Sequence, residues 1–335
     1  MLKRVDQEWV LCRPAGARLL FFCALILVFP FVSAAQTKGG EKIRITYAAN
    51  NLGFLQMFVA KDRGFYAAQG IEPELIRVSP VAAVSALIGG DVDYTELLTS
   101  SVRAAAKGAP IRVVSMALGA PFFSLVGRPP FKTVKDLKGA TIGVNAIGGS
   151  NYISTRMLLL HYGVDPERDV KMLPLGDHQR LYEALKLGRV DAVTVNPPFS
   201  VLLIREGFPL LAHSAKVVSF PIGGVATTVK KINQNRDQVK RVVRAEMEAL
   251  RYLRQQPQGT IELISKRFAI EPGVAAESYK IAVDAFNDGR ILFPAMERLL
   301  DADKRDGAID KSVTVDQVAD PSLAEEVFKE LYSAR

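Results

Sequence analysis

The stretch IEPELIRVSPVAAVSALIGGDVDY, residues 71–94, decides the fold. Its apolar residues predict a strand over Leu75–Val78, a helix over Val81–Ile88 and another strand over Val92–Leu97. Strands that alternate with helices in this way are typical of a parallel sheet with helices packed on its faces. The sequence therefore predicts an α/β fold.

The same alternation continues on both sides of this stretch. On the N-terminal side, Ile43–Ala49 predicts a strand and Phe54–Gln69 a single helix, which Gly70 ends. On the C-terminal side, Ser101–Lys107 predicts a helix and Ile111–Ala117 a further strand. All these elements fit one sheet covered by helices.

A second unit of the same kind begins near Asp136. Its predicted strands are Thr141–Val144, Val170–Leu173 and Ala192–Val195, and its predicted helices are Tyr152–His161, Gln179–Leu187 and Phe199–Arg205. Short words recur between the two units 93 to 99 residues apart: ALIGGDVDY (86–94) with ALKLGRVDA (184–192), AKGAP (106–110) with REGFP (205–209), and GIEPE (70–74) with GVDPE (163–167). We therefore expect two similar lobes on one plan, the alternative being chance similarity between βα units.

The C-terminal part of the chain predicts amphipathic helices that pack on one lobe. Within Arg236–Arg254, one stripe carries the apolar residues Val239, Val242, Val243, Met247, Leu250 and Leu253. We expect lobe 1 to comprise residues 41–121 and 228–335 and lobe 2 to comprise residues 122–227. The connections near 119–131 and 217–228 are then a two-stranded hinge that can open and close a cleft.

The first 35 residues have the pattern of a secretory signal peptide. Four basic residues precede the apolar run Leu19–Val32, and the small residues Ser33, Ala34 and Ala35 follow it. The run is shorter than the roughly 20 residues needed to span a bilayer, so an uncleaved anchor is the lesser alternative. Lipidation at Cys23 is disfavoured because bulky residues precede it. We therefore expect a periplasmic protein.

Cleavage after Ala35 removes both cysteines, Cys12 and Cys23, and the only tryptophan, Trp9. Disulfides, thiolate nucleophiles and cysteine metal sites are then excluded. The remaining 300 residues have a formal charge of +6 with no long basic run, so we expect no nucleic-acid partner. The three histidines form no pair at metal-ligand spacing, so we expect no metal and no cofactor and interpret them as packing or surface residues. We expect a monomer.

Three longer runs carry a family resemblance. Residues 71–115, DLKGATIGVNAIGGSNY (136–152) and GRVDAVTVNPPFS (188–200) are similar to the nitrate/sulfonate/taurine and thiamine-pyrimidine-precursor class of ABC transporter substrate-binding proteins. The likeness extends from about Ile43 to Ala212. It implies the two-lobed type II periplasmic-binding-protein fold, each lobe a mostly parallel sheet flanked by helices, with a helical C-terminal extension. It also implies a small-molecule ligand held between the lobes and delivered to permease subunits in the cytoplasmic membrane.

In open α/β sheets, ligands bind beyond the carboxyl ends of the strands, where helix N-termini offer free N–H groups. Every junction between a strand and a helix is therefore a candidate, although its polar residues could equally be ordinary helix caps or turns. The predicted ligand-binding residues are Asn50, Asn51, Leu52, Gly53, Phe54, Ser79, Pro80, Thr99, Ser100, Ser101, Gly119, Phe122, Gly148, Gly149, Ser150, Asn151, Tyr152, Asp177, Asn196 and Pro197. Phe122, Tyr152 and Phe199 are candidate stacking faces, with core packing as the alternative.

One of these junctions resembles a phosphate-binding loop. GVNAIGGS, from Gly143, matches that pattern except that Gly149 occupies the position of the required lysine. This excludes a nucleotide triphosphatase but keeps a backbone cradle for a polar or anionic group. Asp177 favours a ligand that carries a donor or a cation, if it contacts the ligand at all.

The sequence thus favours a non-enzymatic solute-binding protein for an ABC importer, with a small organic sulfonate, carboxylate or heteroaromatic ligand. Two alternatives remain. One is an enzyme on the same scaffold, similar to the eukaryotic pyrimidine-precursor synthases, although the cysteine-rich motif of those enzymes is missing after residue 35. The other is an exported sensory module that presents its solute to a receptor.

Overall fold

The computed structural model describes residues 39–217, 219–305 and 307–332. The predicted signal peptide lies outside these residues. Within them, no helix combines the length and the apolar character that crossing a membrane requires.

Twelve strands and thirteen α-helices are found in the described residues. The strands are β1 (Glu41–Tyr47), β2 (Ile71–Arg77), β3 (Tyr94–Thr95), β4 (Ile111–Val113), β5 (Met116–Leu118), β6 (Ser124–Gly127), β7 (Thr141–Val144), β8 (Lys171–Pro174), β9 (Ala192–Val195), β10 (Leu210–His213), β11 (Ala226–Thr228) and β12 (Phe286–Gly289). The helices are α1 (Leu55–Asp62), α2 (Phe65–Ala68), α3 (Pro80–Gly89), α4 (Leu98–Ala106), α5 (Ser150–His161), α6 (His178–Lys186), α7 (Phe199–Arg205), α8 (Val229–Gln234), α9 (Arg236–Gln255), α10 (Pro257–Phe268), α11 (Pro272–Ala282), α12 (Phe293–Arg305) and α13 (Ser322–Tyr332).

Two five-stranded sheets organise these elements. The first sheet has the order β2-β1-β3-β11-β4 and the second the order β10-β6-β9-β7-β8. In the first sheet β1 is parallel to β2 and β3, and β11 is antiparallel to β3 and β4. In the second, β7 is parallel to β8 and β9, and β6 is antiparallel to β9 and β10.

The two sheets follow the same plan. When β7, β8 and β9 are matched with β1, β2 and β3, strand β6 occupies the position of β11 and β10 that of β4, with the same directions. The predicted repeat and the α/β class are therefore confirmed. Residues 124–213, which contain the whole second sheet, are called the second half below, and the rest of the described chain the first half.

The chain passes between the two sheets twice. It leaves the first half after β5 and returns before β11, which begins at Ala226, two residues before the predicted start of the second part of lobe 1. The two passages lie side by side, because Ser214 donates from its backbone N to the carbonyl oxygen of Phe123 (2.8 Å) and accepts from the Phe123 N–H at its Oγ (2.7 Å).

Two predicted elements are wrong in detail. The single helix over 54–69 is a 3-10 turn at Leu52–Phe54 followed by α1 and α2, which are separated at Arg63 and Gly64. The single strand over 111–117 is two strands in different sheets, since β5 pairs with β12. Backbone N–H groups at Val114 and Ser115 bond to the returning chain at Val225, and this interrupts the ladder between β4 and β5.

The apolar core is unequal between the halves. The first half has one large cluster that includes the buried face of α9, with Val239, Val242 and Leu250 almost fully buried. The second sheet has two smaller clusters. Neighbouring residues of one strand, Leu125 and Val126, belong to different clusters, so the clusters lie on opposite faces of the sheet.

Candidate ligand-binding cleft

A cavity of about 270 Å³ lies at the carboxyl ends of strands from both sheets. The first half contributes the segments after β1, β2 and β3, and the second half those after β7, β8 and β9. This is the position that the strand order predicts for a ligand. Twelve of the predicted site residues line the cavity: Asn51, Gly53, Phe54, Ser79, Pro80, Thr99, Ser100, Gly149, Ser150, Asn151, Asp177 and Asn196.

Four predicted residues are neighbours in sequence of the cavity-lining residues, but their contacts lie outside the cavity. Leu52 and Ser101 are fully buried in the first half. The carbonyl oxygen of Gly148 accepts from Arg103 Nη1 at 2.9 Å. That of Pro197 accepts from the backbone N–H of Leu52 at 3.4 Å.

The remaining four lie away from the cavity wall. Asn50 is exposed and borders a charged surface groove beside α10. Gly119 donates its N–H to the Ala285 carbonyl oxygen at 3.0 Å. Phe122 is buried and lies 6.3 Å from the ring of Phe286, and Tyr152 carries the guanidinium of Arg156 over its ring. Packing explains both aromatic residues.

Several cavity-lining polar residues are occupied as helix caps. Asn51 Oδ1 accepts from the Gly53 N–H at 2.7 Å, and Ser79 Oγ accepts from Ala82 N–H at 3.4 Å at the start of α3. Asp177 Oδ1 caps α6 through the Arg180 N–H at 3.0 Å. The other oxygen of Asp177 faces Arg77 from the first half at 3.3 Å. Each oxygen of the Asp177 carboxylate therefore already has a partner within the protein.

Other polar atoms of the cavity have no protein partner among the described residues. They are Thr99 Oγ1, Asn145 Oδ1 and Asn196 Oδ1, and Thr99 and Asn196 are each only 2% exposed. A buried polar atom without a hydrogen bond costs free energy, so these atoms suit a bound ligand or water. Thr99 belongs to the first half and the two asparagines to the second.

His178 is the main cavity residue that the sequence reasoning interpreted differently, as a packing or surface histidine. It is 2% exposed, lines the cavity and lies nearly parallel to the rings of Phe123 (6.2 Å) and Phe199 (6.5 Å). Its Nδ1 accepts from the backbone N–H of Asn196 at 2.9 Å. Burial lowers the pKa of His178 to about 3, against a smaller opposing effect of Asp177. The imidazole is therefore neutral.

Further wall residues were missed by the sequence reasoning. They are Ala48, Ala49, Arg77, Val78, Leu97, Phe123, Asn145, Ala146, Gly176, Arg180 and Ile222. Most lie within three residues of a predicted residue at a strand end, so a wider window at each junction would have included them. Phe123 and Ile222 lie on the passages between the halves, where no junction pattern indicates them.

Three contacts join the two halves around the cavity. They are the Arg77–Asp177 ion pair, the Leu52–Pro197 backbone hydrogen bond and the bond from Arg103 to Gly148. Arg103 is itself held in the first half by Asp303, which is 1% exposed. The structure therefore has a closed cleft. Within the described residues no group of acidic, histidine or cysteine side chains could hold a metal ion.

Solved structures with this fold include periplasmic binding proteins and also an enzyme, the desulfurization enzyme DSZB, which aligns with a TM-score of 0.64 at 15% identity. The nitrate-binding protein NrtA of Synechocystis PCC 6803 aligns with a TM-score of 0.71 at 15% identity, covering 88% of this chain and 89% of its own. The aliphatic sulphonate-binding protein SsuA of Escherichia coli aligns with a TM-score of 0.64 at 21% identity, covering 84% and 92%. The chain thus has the periplasmic-binding-protein fold, and the predicted fold class is confirmed.

The family follows from the sequence. The model described as "NMT1/THI5 like" matches residues 51–260, more than half of the chain, and the protein belongs to this family. YtlA of Bacillus subtilis strain 168, named as a binding protein, is 21% identical over 93% of this chain and 98% of its own. The 4-amino-5-hydroxymethyl-2-methylpyrimidine phosphate synthase of Schizosaccharomyces pombe is 31% identical over 33% of each chain. The predicted resemblance is therefore confirmed.

Proposed function

We propose that this protein is an extracytoplasmic solute-binding protein that captures a small organic molecule and delivers it to an ABC importer. One observation carries the proposal: a cavity enclosed by strand ends of both sheets, with unpartnered polar atoms on its wall. The fold is shared with nitrate- and sulphonate-binding proteins, and this supports the same general role. An exported location follows from the predicted signal peptide and from that role.

In the proposed mechanism, the residues around 119–131 and 217–228 are the hinge between the two lobes. An open form binds the solute on one lobe, and closure then forms the three contacts between the halves. A ligand drives closure only by binding the closed form more tightly than the open form. The permease recognises the closed form.

A thermal-shift screen of the exported protein tests the proposal. The protein is unfolded and refolded to remove carried-over ligand, and nitrate, ethanesulfonate, taurine, benzoate and simple pyrimidines are added in turn. A ligand at 100 times its dissociation constant stabilises the fold by about 2.7 kcal/mol. A reporter dye is needed because the only tryptophan is Trp9. Small-angle scattering then follows the bound ligand: contraction supports closure, and an unchanged radius of gyration contradicts it.

A synthase-like enzyme is the second candidate, because of the similarity to the pyrimidine phosphate synthase. Both cysteines of the chain lie before residue 39, so a thiol mechanism has no residue in the described cleft. Recovery of the unaltered ligand from the protein after prolonged incubation supports binding, whereas a changed ligand supports the enzyme. A receptor in place of the importer is distinguished by reconstituting uptake with the permease and ATPase.

A further inference from the structure

His178 places one defined hydrogen-bond donor, its Nε2–H group, at the cavity. Its Nδ1 accepts from the Asn196 N–H at 2.9 Å, so Nδ1 carries no proton. A neutral imidazole then has its proton on Nε2, which is a donor only. His178 is 2% exposed and lines the cavity, and the described residues supply no acceptor to Nε2.

The surroundings of His178 hold the ring in this state. The rings of Phe123 and Phe199 lie nearly parallel to it, with interplanar angles of 10° and 23°. The charged groups at this part of the cavity are Asp177, Arg77 and Arg180, of which the first two pair with each other. Burial outweighs the attraction of Asp177 and keeps the pKa of His178 far below neutral pH.

A neutral hydrogen-bond donor favours some ligand groups over others, according to their charge and their ability to accept a hydrogen bond. An anion against Nε2 gains no charge from His178, which is costly to protonate, and depends on Arg180 of the cavity wall for a counter-charge, since unpaired buried charges are strongly unfavourable. A cation would face a donor and is repelled. A carbonyl oxygen or an aromatic ring nitrogen accepts the hydrogen bond without charge burial.

We infer that His178 is a specificity-determining residue that donates from Nε2–H to an uncharged acceptor on the ligand, a carbonyl oxygen or a ring nitrogen. The inference rests on the proposed function and names the ligand class for that site. Beside His178, the side-chain oxygen of Asn196 is buried and has no protein partner among the described residues.

Two substitutions distinguish the effect of losing the Nε2–H donor from the effect of losing the rest of the imidazole ring. In His178→Asn, the side-chain oxygen replaces Nδ1 as acceptor for Asn196 and the Nε2–H donor is lost. In His178→Gln, the amide N–H reaches the place of Nε2 and keeps the donor. His213→Asn is the matched control, since His213 contacts Ser124 at 3.1 Å and lies outside the cavity wall.

The probes are 4-aminopyrimidine and 2-pyridone, with aniline and phenol as counterparts that lack the ring nitrogen or carbonyl, and nitrate and ethanesulfonate as anions. We expect the first two to bind, their counterparts at least tenfold more weakly, and the anions more weakly than the first two. His178→Asn should weaken the binding of the acceptor probes at least tenfold. His178→Gln should weaken it less than His178→Asn, because it keeps the donor although the Asn196 N–H loses its acceptor. His213→Asn should stay within threefold of the unaltered protein.

Imidazole ¹⁵N NMR of the exported protein measures the tautomer of His178 and the chemical shift of its Nε2. A histidine that only packs in the core would show no change in this shift when ligand binds. We expect His178 to be the Nε2–H tautomer from pH 5 to 8 and its Nε2 signal to shift when 4-aminopyrimidine binds. Protonation near pH 6, or an Nδ1–H tautomer, overturns the inference. Tight binding of an anion that His178→Asn leaves unchanged overturns it too, while the proposed function stands. Failure of every probe to bind counts against both.

Discussion

The two halves share a strand order but differ in what surrounds the sheet. The first half has a large core with the 20-residue helix α9, whereas the second has two thin clusters. At the cavity, the polar residues Asn51 and Ser79 of the first half are occupied by their own backbone, while His178, Asn145 and Asn196 of the second keep free atoms. Thr99 Oγ1 of the first half also has no partner, so the half with the smaller core carries most, but not all, of the unpartnered polar groups of the cavity-lining residues.

The largest expected effect comes from a backbone clash within the first half, where the returning chain packs against the segment between β4 and β5. Gly224 has φ of +152°, and a Cβ there would collide with the backbone of Ser115, so Gly224→Ala should lower the free energy of unfolding by about 3 kcal/mol or more. Gly108→Ala is the control, since Gly108 also has positive φ (+92°) but open space around a Cβ, and should cost only about 1 kcal/mol. Urea unfolding measures both, and equal losses would contradict the steric argument.

The second prediction concerns the glycine loop of the second half. A Cβ on Gly149 would lie 3.5 Å from the Ala146 carbonyl oxygen and 3.9 Å from Pro80, and φ there is −80°, so the fold tolerates a side chain. Gly149→Leu fills the cavity and should weaken ligand binding about 100-fold, or about 2.7 kcal/mol, with little change in melting temperature. Ile147→Phe in the same loop is the control, because Ile147 is 55% exposed and lies outside the cavity wall. Unchanged affinity of Gly149→Leu removes the loop from the site.

The third prediction tests the core of the first half. Glu96 and Glu246 are both buried, and each has one carboxyl oxygen bonded, to Gln56 (2.8 Å) and Tyr66 (2.7 Å) respectively. Burial, with the other carboxyl group close by, raises the pKa of Glu96 well above its usual value, and burial also raises that of Glu246.

Because these pKa values are raised in the folded state, the folded protein binds more protons than the unfolded chain above about pH 4.5. Stability is then present at low pH and falls as pH rises, by up to about 1.4 kcal/mol per pH unit for each proton. Glu96→Gln should flatten this decline in urea unfolding between pH 5 and 8. Glu183→Gln, on the exposed face of α6, should leave it unchanged. An equally steep decline in Glu96→Gln would refute the raised pKa of Glu96 as the cause of the pH dependence.

The smallest effect is expected at Arg77–Asp177, the ion pair that joins the halves at the cavity. Arg77 is 54% exposed and Asp177 22%, and such pairs contribute about 0.2–1 kcal/mol. Arg77→Gln should therefore weaken ligand binding only twofold to fivefold, more at low salt than at high salt. Asp177→Asn keeps the cap of α6 and should have the same effect, and the double variant should add nothing further. The Lys186–Glu206 pair, which lies within the second half, is the control and should not alter affinity.

Helices and parallel strands were predictable because their signals are local. Thr141–Val144, Ala192–Val195 and Phe199–Arg205 have the predicted bounds, since apolar runs there end at Gly, Pro or Asn. The antiparallel strands β6, β10 and β11 were not predicted. Each is four residues or fewer, and its pairing partner lies far away in sequence. The break within 111–117 depends on the returning chain, which no local pattern reveals.

The candidate cavity lies at the junctions that the sequence indicated, but the hydrogen-bonding state of its residues was not predictable. Asn51, Ser79 and Asp177 lie at the expected junctions, and the sequence left open whether each is a cap or a ligand contact. That question depends on which atoms the folded backbone already occupies. His178 was not predicted to line the cavity, because its burial and its hydrogen bond to Asn196, 18 residues away, arise only in the folded chain. Its contact with a ligand remains a prediction.

The side-by-side passages at Phe123 and Ser214 have a further consequence. A segment whose two ends are hydrogen-bonded neighbours can be lifted out and replaced as one piece, because the host needs only to bridge a short gap. Residues 124–213 are therefore suited to transplantation between relatives of this family. A graft would carry the cavity-lining residues Asn145, His178 and Asn196, while the recipient keeps its own first-half core.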